Sequence, residues 1–229
     1  MTTWTKWYFG TDTNNAASFP CAGDGKHFYI GRIGGGVTAN NIDFDNAAAS
    51  AVGPTTTSTY WDLEGPSVRP SGVSAYDWGI NQAIAFHNAW KAKTNAQGST
   101  LFGDIEPGNP GWSSTTQADR RDVLSGFLAQ LNAYRVTPGI YISTINWDNY
   151  FGSAWTTLTP FVFWLAGTDC PSGCSGAQSE FNSSKTSITR GGYRVMIWQY
   201  ATPGCTGQSQ DLNITPYNGY LSGHWNPTL

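Results

Sequence analysis

The stretch from residue 100 to 108 carries two carboxylates whose spacing suits acid catalysis. It reads Thr-Leu-Phe-Gly-Asp-Ile-Glu-Pro-Gly, so Asp104 and Glu106 follow a short apolar run at positions i and i+2. Strand side chains alternate between two faces, so both acids point the same way, roughly 6.6 Å apart along the strand. Two such acids can share one proton, and different surroundings can make one an acid while the other stays charged. This division of roles is typical of glycosidases.

A second Asp-x-Glu pair, Asp62 and Glu64, also follows a strand-like run. A neighbouring strand could present it in the same mouth as a substrate-binding edge, or it could be a polar turn. The pair at Asp104 and Glu106 is favoured because it follows a long helical pattern directly and precedes a Pro-Gly stop.

The pattern of elements predicts an α/β barrel. Strand-like runs occupy residues 7–12, 28–33, 57–62, 100–106, 138–143, 161–166, 195–200 and 210–214. A helix is predicted over 74–94, with apolar residues recurring at Tyr76, Ile80, Ala83 and Ile84, and another over about 116–135, with Thr116 and Asp119 in an N-cap arrangement. Strands separated by helices indicate a parallel sheet. No strong helical period separates the strands after residue 155, so the barrel is expected to be helix-poor in its C-terminal third.

Acids recur where these strands end. Catalytic residues of parallel α/β barrels sit at the carboxyl ends of the strands, and Asp12, Asp62, Asp104 and, in the last strand, Asp211 have such positions. Taken singly, Asp12 or Asp62 could instead begin a turn or cap a helix. Their joint arrangement predicts an acidic mouth.

Aromatic residues are abundant, with 11 Trp and 11 Tyr. Aromatic walls with a few placed polar groups suit a sugar-binding cleft. Rings near strand ends are the candidates for it, together with polar residues that share those ends. The predicted substrate-binding set is Arg32, Tyr60, Trp61, Asp62, Glu64, Tyr141, Trp164, Gln199 and Tyr200.

Composition excludes several other classes. The 229 residues suit one domain spanning 1–229, and a net charge of −3 without a basic run argues against nucleic acid. No apolar run reaches the ~18 to 20 residues of a membrane helix. No Gly-x-Ser-x-Gly or thiol-protease pattern is present, and Gly34-Gly-Gly36 lacks the features of a phosphate loop. We expect a monomer with no cofactor that acts on a polysaccharide.

Four cysteines, an even number, favour an exported protein. The chain start lacks the apolar core of a signal peptide, so either the protein is cytosolic or a signal has been removed. Cys170 and Cys174 are spaced for a loop disulfide, which leaves Cys21 to pair with Cys205. Three scattered histidines supply too few ligands for zinc.

Five motifs, in order, resemble those of glycoside hydrolase family 25, the lysozymes or muramidases. The resemblance spans nearly the whole chain and implies a TIM-type barrel with eight strands and about five helices. The motifs are Gly10-Thr-Asp12, Asp104-Ile-Glu106, Pro138-Gly-Ile-Tyr-Ile-Ser143, Trp164-Leu-Ala166, and Trp198-Gln-Tyr200 followed by Asp211-Leu-Asn213.

The resemblance implies that Glu106 is the general acid and that Asp12, Asp104 and Asp211 complete an acidic floor. Asp104 would orient the N-acetyl group of the substrate or stabilise the positive transition state. The substrate would be the β-1,4 bond after N-acetylmuramic acid in peptidoglycan. In a closed barrel, a Cys21–Cys205 bond would staple the seam between the first and last strands.

The sequence also departs from the family. Thr13-Asn-Asn-Ala16 replaces a Ser-x-x-Gln-Gly continuation, and Tyr60-Trp61 replaces a Tyr-His. Both changes fall in the expected cleft. They leave open a glycosidase with another substrate, or a catalytically degenerate barrel that only binds carbohydrate.

Overall fold

The computed structural model describes residues 7–12, 27–39, 56–94, 96, 98–167, 169–202 and 211–216. The strands within these ranges are β1 (Tyr8–Thr11), β2 (His27–Gly35), β3 (Thr38–Ala39), β4 (Thr56–Asp62), β5 (Thr100–Asp104), β6 (Thr137–Ile142), β7 (Val162–Ala166), β8 (Thr189–Arg190), β9 (Tyr193–Ala201) and β10 (Leu212–Thr215). The helices are α1 (Ala75–Lys91), α2 (Gln117–Ala133), α3 (Thr144–Phe151) and α4 (Gly173–Ser183), with short 3-10 helices at Pro66–Val68 and Lys185–Ser187.

Eight of the strands close into a barrel in the order β1-β2-β4-β5-β6-β7-β9-β10. Neighbours from β1 to β9 run parallel, whereas β10 runs antiparallel to both β9 and β1. The strands β3 and β8 are short antiparallel partners of β2 and β9. The predicted α/β barrel is therefore confirmed, with one strand reversed at the seam.

Large apolar side chains fill the inside of the barrel below its carboxyl end. The cluster includes Phe28, Ile30, Phe102 and Val162, all fully buried. Gly10 and Gly139 face two of these rings: a Cβ on either would lie 2.3 Å from a ring carbon of Phe28 or Phe102. Because the rings occupy this space, polar groups inside the barrel are confined to its upper end.

The two long helices cover the outside of the barrel. Helix α2 begins as predicted, with the Thr116 hydroxyl accepting a hydrogen bond from the Asp119 backbone N–H at 3.1 Å. Its buried residues lie between Val123 and Leu131. Of the stripe predicted for α1, Ala83 is fully buried, but Tyr76 is 42% exposed and Ile80 and Ile84 are only partly buried. The buried face is instead completed by Trp78, Gln82 and Phe86.

The C-terminal third has more helix than the sequence indicates. Helix α4 lies between β7 and β9, where nearly bare strands were predicted. Its sequence is rich in Gly and Ser, and Ala177 and Phe181 are its buried apolar residues, so its periodic pattern is weak. The described residues contain four α-helices, against about five expected. None of these helices is long and apolar enough to cross a membrane.

Candidate active site

A cavity of about 90 Å³ opens at the carboxyl end of the parallel strands. It gathers the four acids proposed as catalytic with four of the predicted substrate-binding residues. Among the described residues its lining is Asp12, Tyr60, Asp104, Glu106, Tyr141, Trp164, Gln199 and Asp211. The sequence pattern thus predicted which strand ends meet.

Asp211 lines the cavity from a position relative to its strand that the sequence did not predict. It lies directly before β10 rather than within it or at its carboxyl end. Because β10 runs antiparallel to its neighbours, its beginning lies at the same end of the barrel as the carboxyl ends of the other strands. Burial raises the pKa of Asp211, and the nearby Glu106 adds to the rise.

Backbone hydrogen bonds on both sides fix the Asp104 to Glu106 segment. The Leu63 N–H donates to the Asp104 carbonyl at 2.9 Å, and the Ile105 N–H donates to the Tyr141 carbonyl at 3.0 Å. The turn that follows is tied back by Asn109, whose side-chain amide donates to the Asp104 carbonyl at 2.7 Å. The two acids therefore leave a rigid strand end, which suits groups that must be held in place.

Asp104 is buried and incompletely hydrogen-bonded. Its residue exposure is 8%, and its Oδ1 atom is buried without a hydrogen-bond partner. Burial raises the pKa of Asp104 well above its usual range, and Glu106, Asp62 and Asp12 raise it further, whereas Arg32 lowers it. An unpartnered buried carboxyl oxygen is costly, so this atom is the one most favoured to accept a ligand N–H or O–H.

Asp12 is equally buried but fully hydrogen-bonded. Its Oδ1 accepts from the Asn213 amide and its Oδ2 from the Gln199 amide, each at 3.0 Å. Burial, followed by the charge of Asp211, raises the pKa of Asp12 to about 8, and the two amides oppose that rise. The two buried acids of the floor therefore differ in how their oxygens are satisfied.

The second Asp-x-Glu pair begins on the strand next to the first, but neither Asp62 nor Glu64 is among the residues that line the cavity. Asp62 is the register neighbour of Asp104 on the adjacent strand. Its carboxylate forms an ion pair with Arg32 of β2. Burial raises the pKa of Asp62, against the opposing effect of Arg32, so its charge is partly compensated.

Glu64 is outside the residues that line the cavity and is only partly buried. Its carboxylate packs against the turn after β2, where a Cβ on Gly36 would lie 2.6 Å from its Cδ. Gln82 of α1 clamps its backbone, accepting from the Glu64 N–H at 2.7 Å and donating to the Glu64 carbonyl at 3.0 Å. The second pair is thus built into the frame of the mouth.

For two aromatic residues the predicted position in the cleft is wrong. Trp61 is fully buried outside the barrel, stacked on Phe86 of α1, and its indole N–H donates to the Gly36 carbonyl at 2.9 Å. Tyr200 is 3% exposed and packs edge-on against Phe9 in the same outer core. Side chains alternate along a strand, so each of these residues points away from a neighbour, Tyr60 or Gln199, that lines the cavity.

Sequence reasoning missed two residues that support the site. Asn213 lies in the closing Asp-Leu-Asn motif, which by itself does not indicate what its side chain contacts. Gln82 lies within a helix, and the signal that could have found it is a polar residue on the buried helical face, which indicates a specific hydrogen-bond partner. In α1 the neighbouring buried residues Trp78 and Phe86 lie four positions on either side of it.

Cys170 and Cys174 are not free thiols. Cys21 and Cys205 lie outside the described residues, so the predicted pairing of the four stays a prediction. Within the described part of the chain, no group of three or more His, Cys, Asp or Glu side chains is arranged to hold a metal ion.

The sequence matches no protein-family model and no curated protein. The fold, in contrast, is similar to solved lysozymes. A family GH25 lysozyme from Aspergillus fumigatus aligns with a TM-score of 0.62 at 16% identity, covering 92% of this chain and 94% of that one. A muramidase from Trichobolus zukalii aligns with a TM-score of 0.63 at 18% identity, covering 94% and 99%. A bacterial lysozyme from Streptomyces coelicolor aligns with a TM-score of 0.56 at 18% identity, covering 94% and 97%. The chain thus has the barrel fold of these proteins over nearly its full length.

Proposed function

We propose that this protein is a glycoside hydrolase that cleaves a β-1,4 bond in peptidoglycan or another N-acetylated glycan. The observation that carries the proposal is the pair Asp104 and Glu106 at a cavity in the carboxyl end of a barrel, with one buried Asp104 oxygen unpartnered. The shared fold with proteins named lysozymes and muramidases supports it. Hydrolysis by a carboxyl pair needs, besides the two acids, a water molecule whose oxygen ends on the anomeric carbon in place of the leaving oxygen.

In this proposal Glu106 donates the proton to the leaving glycosidic oxygen. It is half-buried at the rim of the cavity, where a substrate oxygen can approach it. Two residues earlier on the same strand end, burial raises the pKa of Asp104, and the nearby Glu106 raises it further. Glycosidic bond cleavage requires such a proton, because the leaving oxygen is a poor leaving group without it.

Asp104 serves as the stabilising or orienting group. Its unpartnered Oδ1 would accept the amide N–H of an N-acetyl group, which satisfies a buried oxygen that otherwise lacks a partner. The same carboxyl group, once ionised, would stabilise positive charge that develops on the sugar ring. A substrate with an acetamido group is therefore the best match for this atom.

The remaining cavity residues would bind the glycan. Tyr60, Tyr141 and Trp164 supply aromatic surface, and Gln199 and Asp211 supply polar groups. Arg32, Asp62 and Glu64 flank the mouth on the β2 and β4 side, where they would contact a sugar beyond the cleaved bond. We propose, in addition, that the protein is exported and that its cysteines form two disulfides.

Mass analysis of digested glycans tests the proposal. The purified protein is incubated with peptidoglycan and, separately, with chitin-type oligosaccharides. Glycan fragments with new reducing ends are expected from at least one substrate. Release of peptides from intact glycan strands would indicate an amidase instead. Saturable binding with no new reducing ends over long incubation would support a barrel that only binds carbohydrate.

A further inference from the structure

Tyr141 is connected to Asp12 through the amide of Gln199. The Tyr141 hydroxyl donates to Gln199 Oε1 at 2.6 Å, and Gln199 Nε2 donates to Asp12 Oδ2 at 3.0 Å. Burial and the surrounding carboxylates raise the pKa of Tyr141, so the hydroxyl keeps its proton and acts as a donor. This donation holds the amide oxygen of Gln199 away from Asp12 and its NH₂ group toward Asp12.

Trp164 is connected to Asp12 in the same way through Asn213. The Trp164 indole N–H donates to Asn213 Oδ1 at 2.8 Å, and Asn213 Nδ2 donates to Asp12 Oδ1 at 3.0 Å. An indole N–H can only donate, so the orientation of the Asn213 amide is determined. The two series of hydrogen bonds start from adjacent residues. Tyr141 and Trp164 are register neighbours on β6 and β7, and their ring centroids are 4.5 Å apart.

We infer that Tyr141 and Trp164 are positioning residues that hold Asp12 through the amides of Gln199 and Asn213. Both oxygens of Asp12 are engaged, so this carboxyl group cannot rotate toward a substrate without breaking a hydrogen bond. Asp12 is then a fixed polar group of the cavity, and Asp104, with its unpartnered oxygen, is the buried acid that can accept a hydrogen bond from a ligand. The consequence for catalysis rests on the proposed glycosidase function, but the positioning itself does not.

The pKa of Asp12 depends on how the amides of Gln199 and Asn213 are held. Asp211 raises the pKa of Asp12 by its charge, and the two amides lower it. Among the residues that the structure describes, Asp104, Tyr29, Tyr60 and Tyr141 also interact electrostatically with Asp12. An amide that is no longer held in place stabilises the carboxylate less, so its release raises the pKa of Asp12.

The experiment is a ¹³C-carboxyl NMR titration that follows Asp12, assigned with Asp12→Asn. Tyr141→Phe keeps the ring and removes the hydroxyl, and we expect the measured pKa of Asp12 to rise by about one unit, a tenfold change in acid dissociation. Gln199→Met should give at least the same rise. Adding Tyr141→Phe to Gln199→Met should give no further rise, because Tyr141 then has no amide to hold. Tyr60→Phe removes the hydroxyl of another cavity tyrosine, which hydrogen-bonds to neither amide. Burial and the nearby carboxylates raise the pKa of Tyr60, so its hydroxyl is uncharged while Asp12 titrates, and the measured pKa of Asp12 should not change.

The second set of variants is Trp164→Phe and Asn213→Leu. Each should raise the measured pKa of Asp12, and the double variant should raise it no further than Asn213→Leu alone. It decides the question if Gln199→Met does not fold. An unchanged Asp12 titration in Tyr141→Phe and Trp164→Phe, or rises that add fully in the double variants, would overturn the inference. If the protein hydrolyses glycan, the pH profile of kcat/KM in each variant should shift in the same direction as the measured pKa of Asp12. A protein that hydrolyses nothing would refute the proposed function, and the titration would still decide the positioning roles.

Discussion

Asp62 and Asp104 lie side by side in register on adjacent parallel strands, yet they differ in how they are compensated. Asp62 has a cation, Arg32, as its partner, whereas Asp104 has a buried oxygen without a hydrogen bond. Two Asp-x-Glu pairs of similar sequence are thus placed in different electrostatic surroundings. Asp104 and Glu106, the pair without a salt-bridge partner among the described residues, line the cavity, and we assign the chemistry to them for this reason.

Arg32→Gln should destabilise the protein. It leaves Asp62 without its counter-ion and removes the positive charge that lowers the pKa of Asp104. The side chains of Arg32 and Asp62 are 34% and 19% exposed, so the ion pair is intermediate between a surface pair and a buried one. We therefore expect a loss of about 1 to 2 kcal/mol in the free energy of unfolding. Urea unfolding at neutral pH measures it.

Asp62→Asn with Arg32→Gln is the control for that effect. If the ion pair is the cause, the double variant is more stable than the sum of the two single losses predicts. Fully additive losses would show that the pair contributes nothing through its charges.

Stability should fall as the pH rises from about 4 to about 8. The folded pKa of Asp12 lies at about 8, above its ordinary 3.8, so the folded state binds more protons than the unfolded state in this window. Stability from this group is fully present below the unfolded pKa and is lost as the pH rises through the folded pKa. Asp104 has a raised pKa and acts in the same direction. Urea unfolding from pH 4 to 9 should show the decline, and Asp12→Asn should flatten it. A wild-type stability that increases across the window would contradict the buried, protonated floor.

Gly36→Ala should cost more stability than Gly72→Ala. Both glycines have a positive φ, +57° and +81°, so both substitutions carry a backbone penalty of about 1 kcal/mol. A Cβ at residue 36 also meets the Glu64 carboxylate at 2.6 Å, whereas residue 72 has nothing within 4 Å. Chemical unfolding of the two variants isolates this contact. Equal losses would show that Glu64 moves freely and is not part of the frame.

The sequence predicted the barrel and its acidic mouth because both depend on patterns that are local. Buried runs ending in Asp fix where strands end, and parallel strands bring those ends together. Thr116 and Asp119 predicted the start of α2 because a capping arrangement involves only neighbouring residues.

The rest depends on contacts between distant residues. The reversed direction of β10 puts the residue before it, Asp211, at the mouth, and no local pattern gives the direction of a strand. Trp61 and Tyr200 were assigned to the cleft by position along the strand, whereas their side-chain parity places them in the outer core. The pairing of Asp62 with Arg32 joins two strands, so it could not be inferred from either alone.

Turnover by Glu106→Gln compared with Glu64→Gln tests the central claim most directly. Both substitutions replace the second acid of an Asp-x-Glu pair with its neutral isostere, so each is the matched control of the other. Release of new reducing ends from the substrate that wild type cleaves is measured. We predict a loss of about 100-fold to 10,000-fold for Glu106→Gln and only a small loss for Glu64→Gln, because only Glu106 supplies the proton. Full activity in Glu106→Gln, or inactivity confined to Glu64→Gln, would contradict the assignment.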